Sequence, residues 1–155
     1  MARIYTVEFE NVSVTQAQDF FEIGPGDDHP VALLGAFVDQ NSDVGDAQEE
    51  MLRYRIIRGH ATSGASGTAS TPSPLDPSDA AASFSAEVNN TTIASAGTPV
   101  NLHSGAFNIR AGLALIFPPE MTPMANQGQG TIVVRLLAAP SDALTMSGTL
   151  YVAEM

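Results

Sequence analysis

The chain predicts an all-β fold, a jelly-roll-like antiparallel β-sandwich or barrel of about eight strands with little helix. Three observations carry that expectation. Short segments alternate apolar and polar residues with period two. Turn residues separate them at hairpin-to-Greek-key spacing. The 155 residues are 44% apolar and only 15% charged, enough to bury the core of one domain spanning 1–155. An immunoglobulin-like sandwich is the runner-up, although its Cys and Trp hallmarks are absent.

Residues 3–10 put Tyr5, Val7 and Phe9 on one face and Thr6, Glu8 and Glu10 on the other, a half-buried strand that Val12 and Val14 continue past Asn11. In the next segment Phe21 and Ile23 share a face, with Phe20 and Glu22 opposite, and the Gly-Pro-Gly-Asp-Asp of 24–28 ends it. Residues 30–39 form an apolar run suited to a buried strand, and 41–46 an acidic loop. Leu52, Tyr54 and Ile56 then alternate with Arg53 and Arg55. Residues 60–74 hold no large apolar side chain, so they read as a loop that is flexible or ordered by a partner. Asp76 as an N-cap, Pro77 in the first turn and Asp79 near the dipole predict a helical turn through about Ala82.

Phe84, Ala86 and Val88 mark another strand. Val100 with Leu102, Phe107 with Ile109, and the run 113–117 mark three more, the last stopped by Pro118-Pro119. A loop fills 120–130, strands follow at 131–138 and 149–153, and Pro140-Ser141-Asp142 turns between them. No internal repeat and no domain boundary is evident.

Composition excludes several functions. Seventeen acidic residues against six basic ones give a net charge of -11, which repels a phosphate backbone and an anionic membrane surface. Without cysteine there is no disulfide, thiolate zinc site or thiol chemistry. The N-terminal residues carry no apolar h-region, and no apolar run approaches spanning length, so the expectation is a protein made and kept soluble in a cytoplasm.

Candidate chemistry is sparse. Asp39, Asn41, Asp43 and Glu50 stand at positions one, three, five and twelve of a calcium-loop template, which needs converging hard oxygens. Position six is Val44 where the sharp turn requires glycine, and the flanks read as strands, so a solvated turn is the plainer reading. His29, preceded by two aspartates, His60 and His103 show no ligand spacing. The Gly-Ala-Ser-Gly-Thr of 64–68 lacks the second glycine of a serine elbow. No lysine or glycine run opens a helix to cradle phosphate. Glu49 and Glu50 are sequence neighbours and in a strand would face opposite ways. These readings point to a protein that is not an enzyme and carries no cofactor.

The basic residues are all arginine. Arg3, Arg53, Arg55, Arg110 and Arg135, with Tyr5, sit in or beside expected strands and are the candidate interface residues; arginine pairs carboxylates bidentately at interfaces. Ordinary ion pairing within the chain competes with that reading for each arginine. Ile132, Val134 and Leu136 alternate with Val133, Arg135 and Leu137, leaving both faces of that strand largely apolar and favouring an oligomer or a scaffold.

The phrasing of residues 43–53, of 74–81 and of Ser147-Gly148-Thr149-Leu150-Tyr151-Val152 resembles structural proteins of tailed-bacteriophage particles, in particular small all-β head-decoration (cement) proteins. The resemblance implies a virion structural protein on the head exterior. It would be a homotrimer bound to the major capsid protein that stabilises the head, with no catalytic residues. On this reading Arg3, Tyr5, residues 60–74 and residues 120–130 are the contact candidates. A tail, neck or baseplate protein is the alternative. A carbohydrate-binding sandwich is a second, weakened by the absence of tryptophan for stacking on sugars.

Overall fold

The computed structural model describes residues 2–41 and 49–155. Its strands are β1 (Arg3–Val14), β2 (Gln18–Gly24), β3 (Val31–Gln40), β4 (Met51–His60), β5 (Thr68–Ser70), β6 (Ser73–Pro74), β7 (Ser85–Asn90), β8 (Val100–Asn108), β9 (Leu113–Ile116), β10 (Met124–Ala125), β11 (Thr131–Leu136) and β12 (Leu144–Glu154). One 3-10 turn, Pro119–Met121, is the sole helical element among the described residues. The strands form two antiparallel sheets packed as a sandwich. The first runs β10-β3-β12-β1-β6, with β9 also on β3, and the second β5-β7-β2-β11-β4-β8.

Period-two alternation explains the first sheet. Tyr5 lies opposite Val152 and Val7 opposite Leu150, and all four point into the core. A bulge between Phe9 and Val12, with Asn11 at φ 53°, restores Val12 and Val14 to the inner side. The second sheet corrects the expected facing of Phe20. Val134 pairs with Phe21 but Arg135 pairs with Asp19, so Phe20 is the extra residue of a bulge. Both phenylalanines are therefore fully buried, and both lie against Phe9, at ring distances of 6.2 and 5.3 Å.

The strands outnumber the eight or so expected because several edge strands are only two to four residues long, too short to show periodicity. Conversely, residues 100–108 form one strand rather than two. The expected helical turn after Asp76 is absent. Asp76 Oδ1 accepts the Ser78 N–H and hydroxyl, at 2.9 and 2.7 Å, and its carbonyl accepts the Asp79 N–H, which closes a tight turn. The Tyr5 hydroxyl donates to the Ala80 carbonyl at 2.8 Å and ties this segment to the core.

Segment 60–74 is ordered by the chain itself. Leaving β4, it crosses the outer face of the second sheet to pair as β5 with β7, and then as β6 with β1. A second segment, leaving β7, crosses the same face the other way and pairs as β8 with β4. These two straps run antiparallel, bridged at Thr62–Ser95 and Ala65–Thr92 by four backbone hydrogen bonds of 2.9–3.0 Å. They form an internal repeat that the sequence conceals. Thr62, Gly67 and Thr68 recur as Thr92, Gly97 and Thr98; Gly59 and Asn89 both have positive φ, as do Ser66 and Ala96. The small-residue composition follows from the close fit. A Cβ on Gly64 would stand 2.6 Å from the Thr92 carbonyl oxygen and 2.8 Å from Asn90 Nδ2.

Candidate functional site

One patch on the outer face of the first sheet is apolar where solvent would ordinarily select polar residues. Outward side chains of four adjacent strands meet there: Ile4 on β1, Tyr151 on β12, Phe37 on β3 and Ile116 on β9. Leu34 and Leu75 complete a groove of about 280 Å3 whose lining is almost wholly apolar. Ile116 is 78% exposed and Leu75 56%. Phe37 and Tyr151 pack edge to face, at a ring distance of 5.9 Å, and stiffen the groove floor.

The outer face of the second sheet carries charge, and the straps cover it. Asp19, Glu22, His60 and Arg135 are all buried. Gly64 and Ala94, equivalent positions in the two straps, each donate a backbone N–H to a β2 carboxylate: Gly64 to Glu22 Oε2 at 2.9 Å, Ala94 to Asp19 Oδ2 at 2.8 Å. Asn90 Nδ2 adds a hydrogen bond to Glu22 at 2.9 Å and one to Glu87 at 2.7 Å. Ile57, Val133 and Ala94 form a small apolar cluster in the same layer. Buried polar groups need such partners, and the straps supply them as main-chain donors, which composition does not show.

The histidines do not converge. His60 lies under the straps with both ring nitrogens buried, and the Ala96 backbone is the polar group that approaches its ring. Burial, and then the Arg135 charge, hold its pKa below the usual histidine value against the opposing pull of Asp19, the Ala96 backbone and Glu22. His103 packs on Tyr54, whose hydroxyl lies 3.1 Å from its Nε2, and His29 Nδ1 lies 3.4 Å from the Met155 carbonyl.

The calcium-loop candidates are engaged separately. Asp43 lies outside the described residues. Asn41 bonds to Asn11 and Ser147, while Glu50 accepts the Ser141 N–H and hydroxyl at 3.0 Å. The Asp39 carboxylate sits against Gly112, whose φ of +75° favours glycine. Among the described residues no three His, Asp or Glu side chains are grouped to hold a metal ion.

Two expected contact residues are interior. Tyr5 is fully buried, and Arg135 is buried in an ion pair with Asp19. Arg3 reaches Glu154 at 2.6 Å. Burial alone would raise the Glu154 carboxyl, but the hydroxyl and N–H of Ser83, with Arg3, outweigh it and hold the pKa below the usual glutamate value. Arg53 and Arg110 are exposed, and Arg55 is half-buried. Residues 120–130 fold partly into β10, where the Arg58 guanidinium donates to the Met124 carbonyl at 2.9 Å. No helix among the described residues is long and apolar enough to cross a membrane. The sequence reading passed over the outer groove because its residues come from five separate segments. A scan of protein-family models, a search of curated proteins and a search of solved structures each return no match to this chain.

Proposed function

We propose that this chain is a structural protein of a tailed-bacteriophage particle, a decoration protein that docks on the outside of the head. The observation that supports this reading best is the apolar groove on the outer face of the first sheet. Burying Ile116, Leu75 and the rims of Phe37 and Tyr151 against shell protein would release their ordered water and drive association without chemistry. A stable contact buries roughly 800 Å2 per partner, and the groove would be the centre of such a footprint. The net charge of -11 suits an exterior position, away from packaged DNA. On this reading the major capsid protein lies against the groove, copies of the chain associate as a homotrimer, and no reaction is catalysed.

The test is co-sedimentation with purified phage heads, together with the solution mass. A trimer that saturates heads, and loses binding on Ile116→Glu, supports the proposal. A monomer that ignores heads sinks it. Copy number per particle separates the head from the alternative positions: hundreds favour the shell, a handful the tail, neck or baseplate.

A further inference from the structure

β1 has one edge zipped to β12 and one largely open. On the open side β6 pairs only with Tyr5 and Thr6. Beyond Thr6 no strand pairs with that edge among the described residues. The direction of its main-chain groups follows from one bond. The Ile4 carbonyl accepts the Leu75 N–H at 2.9 Å, on the β6 side. Main-chain groups two residues apart along a strand point the same way, so Thr6 and then Glu8 present N–H and C=O along this edge. The Glu8 and Glu10 side chains are exposed beside it.

Facing the edge across a groove of about 430 Å3 stands the end of the first strap, Ser66, Gly67 and Thr68, with Asn89 of β7. Asn89 is only 7% exposed, and it lines the groove. Its Oδ1 accepts from Gln18 Nε2 at 2.8 Å, while its Nδ2 has no hydrogen-bond partner. A buried amide donor left without an acceptor is costly, so a site that supplies an acceptor is favoured.

We propose that this groove binds an extended, basic segment of a partner protein, which adds to β1 as a further strand. Strand addition draws affinity from the main-chain ladder and specificity from alternate side chains. Here Glu8 supplies the ladder, and Glu8 and Glu10 pair with arginine or lysine at alternate positions of the incoming segment. The Asn89 amide, whose Nδ2 is sealed and unpartnered in the free chain, can donate to one of the segment's carbonyls once the side chain turns into the groove. The same two carboxylates exclude a second copy of this chain, since β1 edges brought together would oppose like charges. The groove shares no lining residue with the apolar groove that carries the head-docking reading, so the two stand or fall separately.

Fluorescence anisotropy with the labelled peptide Thr-Arg-Val-Arg-Val-Arg-Thr tests this, beside its Glu-for-Arg counterpart and a version N-methylated at alternate residues. The Arg peptide should bind saturably at low salt, the Glu peptide should not, and N-methylation should weaken binding about tenfold or more because charge is kept while ladder donors are lost. Glu8→Pro removes the outward N–H while sparing the β12 ladder, and should cost a similar factor in a chain whose circular dichroism is unchanged. Glu120→Gln, which removes the same charge elsewhere, should cost little. Absence of Arg-peptide binding overturns the proposal, as does equal binding of the N-methylated peptide, an equal loss with Glu120→Gln, or self-association through this edge. The peptide comparison alone decides if Glu8→Pro does not fold.

Discussion

The Arg135 guanidinium lies against the Asp19 carboxylate across the β2–β11 pair, Nε to Oδ1 at 2.6 Å and Nη2 to Oδ2 at 3.1 Å, with Nη2 also donating to the Ala94 carbonyl at 2.9 Å. This bidentate pair is buried, so neither charge can be removed alone without stranding the other. Asp19→Ala should lower the unfolding free energy by about 3–5 kcal/mol in urea titrations. Asp19→Leu combined with Arg135→Met should recover most of that loss. A double mutant as unstable as the single one would show that the strap contacts, not the ion pair, carry the stability.

His60 sets a pH dependence. Its folded pKa is lowered by burial and Arg135, so between that value and the ordinary 6.5 the unfolded chain binds a proton that the folded chain refuses. Stability should therefore fall as the pH drops below 6.5. His60→Leu should flatten this part of the stability–pH curve, measured by chemical denaturation at stepped pH. A slope unchanged by the substitution would assign the effect to another group.

The straps should fail where their glycines are filled. Gly64→Ala forces a Cβ against the Thr92 carbonyl and the Asn90 amide, and overpacking of this kind costs about 1–3 kcal/mol. The variant should also speed amide exchange at Ala65 and Thr92, whose N–H groups bridge the straps. Faster exchange confined to β1 and β12 would contradict this picture.

On the outer groove, Ile116→Glu and Leu75→Glu should leave stability within about 0.5 kcal/mol, since both side chains are mostly exposed. Both should abolish co-sedimentation with heads. Thermal melting and pelleting, done on the same samples, check the two halves of the claim.

The sandwich was legible where one residue in two is apolar and faces inward, as at Tyr5, Val7 and Phe9. It was misread at Phe20, because a bulge shifts the period by one and leaves no mark in composition. The straps were illegible for a different reason. Thr, Ser, Gly and Ala have no periodicity, and what fixes them are main-chain bonds to Glu22 and Asp19, about 40 and 75 residues earlier in the chain. Residues of the outer groove are ordinary strand positions taken singly. Only the register of β9, β3, β12 and β1 sets Ile116, Phe37, Tyr151 and Ile4 near one another.

Each strap starts on one flank of the second sheet and finishes beyond the opposite one, and each is stitched to its twin midway. Peeling β8 from its margin therefore tugs the segment that holds β5 at the far margin. A tear begun at either rim meets the four bonds between the straps, and should have to break them before it spreads to the other rim.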